Sequence, residues 1–170
     1  MKLFILTALL TLLMTGQAYA ETPVAGISVS LENTNLSPTQ AYINHYSKQY
    51  GVDADLITAI IGTESGGETK AFNINKNGTH DKGLMQINSC NHEWLAEELG
   101  ITDFYNPRQN IHCGVYMIAD LMSRHTDLHK ILMCYNMGEK RTRELHREGI
   151  YTSKYSRKVM GVYEKLKEEK

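Results

Sequence analysis

The sequence predicts a mainly α-helical fold with a small irregular β/loop insert near residues 70–88. Three observations predict it. Ser37-Pro38 and Asn106-Pro107 each set a good N-cap before a proline, and proline is tolerated in the first turn of a helix. Apolar residues recur at three- and four-residue steps in several segments. Between residues 66 and 82 (GGETKAFNINKNGTHDK) that period vanishes, and Gly, Asn and Thr crowd in.

Taken in order, residues 1–20 (MKLFILTALLTLLMTGQAYA) read as a signal peptide. Lys2 gives the positive start, residues 3–14 the short apolar run, and Ala18-Tyr19-Ala20 the small-x-small triplet for cleavage after Ala20. The run is shorter than the roughly 20 residues that span a bilayer, so cleavage leaves no stable membrane anchor. Residues 21–36 carry no period and read as a flexible leader. A helix runs from Pro38 to Tyr50 and closes at Gly51. Asp53 caps a second helix, from residue 54 to about 65. After the insert, a helix from about Ser89 ends at Leu99, before Gly100. The long helix opened by Asn106-Pro107 runs to about Ser123, with Ile111, Val115, Ile118 and Met122 on one stripe. Thr126 opens another, to about Tyr135, which Gly138 breaks. Further helices follow near 139–148 and 152–168. The last buries a stripe of Val159, Val162, Tyr163 and Leu166, and Lys165–Lys170 forms a solvated charged tail. Residues 37–170 therefore form one domain.

The charge balance excludes one partner class. Removing residues 1–20 leaves 17 basic against 19 acidic residues. A chain with no basic excess has no electrostatic footprint for nucleic acid. Export puts Cys90, Cys113 and Cys134 in an oxidising compartment. Cys90 with Cys113 is the expected disulfide, leaving Cys134 as a small apolar residue. His125 and His129 stand at i, i+4, but no third residue has suitable spacing. They read as an exposed helix surface, and no metal is expected.

Chemistry enters at the stretch GTESGG. Ile57, Ile60, Ile61 and Glu64 fall at i, i+3, i+4 and i+7, one helical face. Glu64 therefore shares the face that packs on the core. A carboxyl there loses water, its pKa rises, and it can act as a general acid near neutral pH. Gly66-Gly67 stops the helix just past it. Asp81 lies at the end of the insert, which is long enough to fold back and set a second carboxylate across a groove. Paired carboxyls are the usual equipment for breaking a glycosidic bond.

Glu64-Ser65, Gly83-Leu84-Met85-Gln86, Tyr135-Asn136 and the late Tyr155 follow one another in the order of a known pattern. With them, the chain resembles the lytic transglycosylases of the soluble-lytic-transglycosylase (goose-lysozyme-like) superfamily. Cys134 stands where that pattern has Ala. The likeness runs from about residue 38 to 166. It implies a lysozyme-like α domain that cleaves the β-1,4 bond between N-acetylmuramic acid and N-acetylglucosamine in peptidoglycan glycan strands. The 6-hydroxyl of the muramic residue closes onto C1 to leave a 1,6-anhydro end. Glu64 would be acid, then base. Ser65 and Gln86 would supply hydrogen bonds to substrate or groove, and Met85 an adaptable apolar lining. Tyr135 and Tyr155 would hold Glu64 or the sugar, and Asn136 an N-acetyl group. No cofactor is implied. The string DKGLMQINS also resembles animal-type lysozymes, in which an Asp at this place is catalytic. That implies the alternative of a hydrolase using Glu64 and Asp81. A third reading is a wall-binding assembly protein that keeps the groove without turnover. The expected location is the periplasm or the extracellular space. By analogy with small export-apparatus enzymes, components of an envelope-spanning secretion or conjugation machine are the expected partners.

Overall fold

In this computed structural model, residues 36–170 are described; the expected signal peptide and nearly all of the expected leader lie outside the described residues. The first two helices follow their caps. Helix α1 (Pro38–Tyr50) starts where the Ser37 side chain accepts the Gln40 amide and stops at Gly51, whose φ of 69° is left-handed. Helix α2 (Ala54–Glu64) starts at Asp53, which accepts the Asp55 amide.

The insert forms a three-stranded antiparallel sheet in the order β1 (Phe72–Ile74), β2 (His80–Lys82), β3 (Ile87–Asn88). Asp81 pairs with Asn73 on one side and Asn88 on the other. A single 3-10 turn, Ser89–Asn91, leads into helix α3 (His92–Leu99). Helix α4 (Pro107–Arg124) is capped by Asn106, whose side chain accepts the Gln109 amide.

Helix α5 (Leu128–Arg147) differs from expectation at both ends of its first half. Its cap is Asp127, not Thr126, and the helix resumes directly after the break at Gly138 (φ 81°, ψ 156°). Helix α6 (Lys154–Glu168) opens with a reciprocal capping box between Ser153 and Ser156.

Helix α2 is the central element. Leu56, Ile57, Ala59 and Ile60 are at most 1 % exposed. Against them and one another pack α4 through Ile111, Val115 and Ile118, α5 through Ile131 and Leu132, and α6 through Val159. Two expected stripe residues turn outward. Met122 and Val162 are each 36 % exposed, while Leu121 is buried in place of Met122. Leu121 lies three residues beyond Ile118 and so stays on its face as the helix rotates. Nor is the tail merely solvated. The Lys167 ammonium pairs with Asp53 at 3.1 Å and Lys170 with Asp55 at 2.8 Å, fastening the end of α6 to the start of α2. No helix among the described residues is long and apolar enough to cross a membrane.

The expected Cys90–Cys113 disulfide is absent. All three cysteines are free. Cys113 points into the core at 0 % exposure, whereas Cys90 sits on the exposed 3-10 turn, its thiol donating to Asn88 Oδ1. Helix α4 turns Cys113 away from the surface that carries Cys90. The histidine reading is also corrected. His125 ends α4 in an extended conformation and His129 sits in the first turn of α5, so they do not share a helical face. His129 Nδ1 lies 3.1 Å from Ser156 Oγ.

Candidate active site

The last turn of α2, the sheet and the middle of α5 enclose a groove of about 1090 Å³. Glu64, Ser65, Asp81, Gln86, Asn88, Tyr135 and Asn136 all line it. The apolar face of α2 draws Glu64 inward, and the Tyr155 hydroxyl donates to its Oε1 at 2.6 Å. Burial pushes the Glu64 carboxyl up to about 7. The Tyr155 hydrogen bond and the Lys158 ammonium oppose this, and the charge of Asp81 adds to it. Burial beside Glu64 raises the Tyr155 hydroxyl far above the usual phenol range, so Tyr155 stays the donor. A carboxyl in this state is a proton donor at neutral pH.

Asp81 is held differently. Its Oδ2 accepts from the side-chain amides of Asn75 (2.9 Å) and Asn73 (3.2 Å), and its Oδ1 from that of Asn88 (2.6 Å). Three amide donors fix the carboxyl group in place on the sheet. The groove thus carries two carboxyls, one buried and braced by a phenol, the other held by amides at its edge. A pair of carboxyls at one groove is the equipment glycoside chemistry uses.

Other residues of the motifs build the groove wall. The Ser65 hydroxyl donates to the Leu84 carbonyl at 2.8 Å, tying the end of α2 to the segment after β2. The Tyr135 hydroxyl donates to the Met85 carbonyl at 2.8 Å rather than to Glu64. Gln86 adopts a positive φ of 48°, and its side-chain amide donates to the carbonyls of Gly83 and Ala71. Asn136 is exposed along the groove. Met85 departs from expectation. It is 0 % exposed and packs into the core beside Gly114, where a methyl group would overlap its sulfur. Met117 and Met137 line the groove instead.

Two supports escaped the sequence reading. Asn73 and Asn75 stand two residues apart, spaced to share one side of an extended chain, and the period-two rule would have flagged them. Asn110 is wholly buried in α4. Its Oδ1 accepts the Met85 amide, and its Nδ2 donates to the carbonyls of Lys82 and Phe104, each at 2.8 Å. One amide thereby fixes the Gly83–Met85 segment from below. Only a polar residue beside an apolar stripe hinted at it.

This arrangement has relatives. The model of the Transglycosylase SLT domain matches residues 41–156. A transglycosylase of Enterobacteria phage PRD1 is 31 % identical over 114 residues, covering 67 % of this chain and 38 % of that protein. The invasion protein IagB of Salmonella typhi is 29 % identical over 124 residues, 71 % of this chain and 74 % of its own length. The membrane-bound lytic murein transglycosylase E of Buchnera aphidicola subsp. Baizongia pistaciae is 40 % identical over 89 residues, 48 % of this chain and 40 % of that one. In three dimensions the chain is similar to the 70 kDa soluble lytic transglycosylase SLT70 of Escherichia coli, with a TM-score of 0.59 and 17 % identity. An inactive mutant of the lytic transglycosylase Slt of Pseudomonas aeruginosa gives a TM-score of 0.57 at 21 % identity. Each likeness covers 72 % of this chain, but 23 % and 22 % of those much longer chains. With a family model spanning most of its length and a matching fold, the chain belongs to the Transglycosylase SLT domain family.

Proposed function

We propose that the protein is an exported lytic transglycosylase that cleaves peptidoglycan glycan strands between N-acetylmuramic acid and N-acetylglucosamine. The observation that carries this reading is the Glu64 carboxyl, braced by Tyr155 at the groove and pushed up by burial to about 7. Glu64 gives its proton to the glycosidic oxygen as the bond to C1 breaks. The substrate's own N-acetyl carbonyl stabilises the positive charge at C1. Glu64, now a carboxylate, takes the proton of the muramic 6-hydroxyl as that oxygen bonds to C1. A 1,6-anhydro end results, and the acid is restored without a net proton. Ser65, Gln86 and Tyr135 act by holding the wall, while Asn136 is free to meet an N-acetyl group. No step needs a cofactor.

A second reading rests on Asp81. Its three amide partners and its influence on Glu64 favour a working carboxylate over a turn residue. In a retaining hydrolase, with carboxyls about 5 Å apart, Asp81 would be nucleophile or electrostatic partner and water would finish the reaction.

The sequence of residues 1–20 supports export to the periplasm or beyond. The likeness to a protein named for invasion, of which this chain spans 74 %, supports local work with an envelope-spanning secretion or conjugation machine.

The test is digestion of purified peptidoglycan by the wild type and Glu64→Gln, with fragments weighed. Anhydro-ended muropeptides from the first alone support the lyase. Reducing ends, heavier by one water, support the hydrolase. Binding to sacculi with no cleavage at all would leave an assembly protein.

A further inference from the structure

Apart from Glu64 and Asp81, one cluster of ligating side chains remains unexplained by the glycan chemistry. His125 closes α4, Cys134 lies in the buried first half of α5, and Glu139 follows the break at Gly138. One ligand atom from each lies within 4.8 Å of the other two. His125 Nε2 stands 3.0 Å from Glu139 Oε1. Glu139 is the fifth residue after Cys134. On an unbroken helix they would point about 140° apart, since each residue turns the helix by about 100°. The non-helical Gly138, with φ 81°, breaks that register, and the carboxylate and thiol come within 4.8 Å. The pattern resembled at Tyr135-Asn136 has Ala in place of Cys134, so the glycan chemistry has no need of a thiol here.

We propose that His125, Cys134 and Glu139 bind a zinc ion, as imidazole, thiolate and carboxylate ligands, with a fourth position left for water. Nitrogen, sulfur and oxygen donors suit zinc, whose bonds of about 2.0–2.3 Å place tetrahedral ligand atoms roughly 3.3–3.8 Å apart. The cluster reaches that spacing with shifts of about 1 Å. The thiol proton leaves to solvent when the ion binds. Arg124 competes for the carboxylate, its Nη1 lying 2.6 Å from Glu139 Oε1. It also bonds Asp120, and Glu139 Oε2 has no partner among the described residues. Arg124 keeps Asp120 and Oε1, and the ion takes Oε2. The charges of thiolate, Glu139 and Asp120 then balance those of Arg124 and a divalent ion. Bound zinc ties the end of α4 to both sides of the Gly138 break. Because Cys134 lines the groove, the ion fixes the Tyr135-Asn136 segment beside it.

The experiment is titration of the reduced full chain with Co²⁺ and with Zn²⁺, which does not depend on any glycan activity. Cobalt should bind at one equivalent and give a thiolate-to-cobalt charge-transfer band. Cys134→Ala should abolish the band and Cys90→Ala should keep it. His125→Gln and Glu139→Gln should each weaken binding at least tenfold, with circular dichroism confirming an unchanged fold. Zinc should raise the melting temperature of the wild type but not of Cys134→Ala. No thiolate band in the wild type overturns the site. So does a band removed by Cys90→Ala rather than Cys134→Ala, or an affinity that His125→Gln leaves unchanged.

Discussion

Tyr155 reaches Glu64 across 91 residues of sequence, its hydroxyl donating to Oε1 at 2.6 Å. The contact joins the first turn of α6 to the last turn of α2. It opposes the effect of burial by favouring the carboxylate. Tyr155→Phe should therefore shift the falling, alkaline limb of the pH–activity profile to higher pH. It should also lower kcat by about tenfold, because the acid is no longer held in one rotamer. An unshifted limb would mean that the hydroxyl does not touch the working proton.

Glu64 also makes stability depend on pH. Its folded pKa, about 7, lies above the unfolded value of 4.5, so between those values the folded state binds more protons. Its contribution is full below pH 4.5 and is lost as pH rises toward 7. Each pKa unit corresponds to about 1.4 kcal/mol, and partial access of water to the groove screens the total to roughly 1–2 kcal/mol. Glu64→Gln should match the wild type near pH 4 and exceed it by about that amount at pH 8, measured by urea unfolding. Equal stability at both values would show a carboxyl that ionises freely.

Asp81→Asn separates the two chemical outcomes. A lyase should keep activity within about tenfold, whereas a two-carboxylate hydrolase should lose a hundredfold or more. In either case the loss of a nearby negative charge should lower the Glu64 pKa and move the alkaline limb of the profile downward. Steady-state rates on purified glycan strands across pH measure both effects.

Asn110→Ala should cost about 2–5 kcal/mol of unfolding free energy. It strips partners from the Met85 amide and from the carbonyls of Lys82 and Phe104, all beside a fully buried position. Chemical denaturation gives the value, and a loss below 1 kcal/mol would show that water replaces the amide.

The helices were legible because their signals are local. Ser37, Asp53 and Asn106 are caps in the sequence and caps in the fold. Glu64 could be placed on an inward face by period alone. Residues that act through long-range contacts were not legible in that way. Nothing local to Tyr135 says that its hydroxyl meets the Met85 carbonyl 50 residues away. Met85 was expected at the groove only because the motif Gly83-Leu84-Met85-Gln86 resembles the family's. Yet Met85 turns to the core, into the space that Gly114 leaves on α4. The cysteines failed for a related reason. Spacing says nothing of which way a helix faces, and α4 faces Cys113 inward.

The Asn110 clasp has an architectural corollary. It grips Lys82 and Met85 from a rigid helix, while the tip at residues 76–78 bonds only to its own turn, between Asn75 and Thr79. Lengthening or rewriting those three residues leaves the anchored end, and the amide partners of Asp81, where they are. Diversification for new wall architectures has an address at this tip, where change is cheap, and not in the clasped segment behind it.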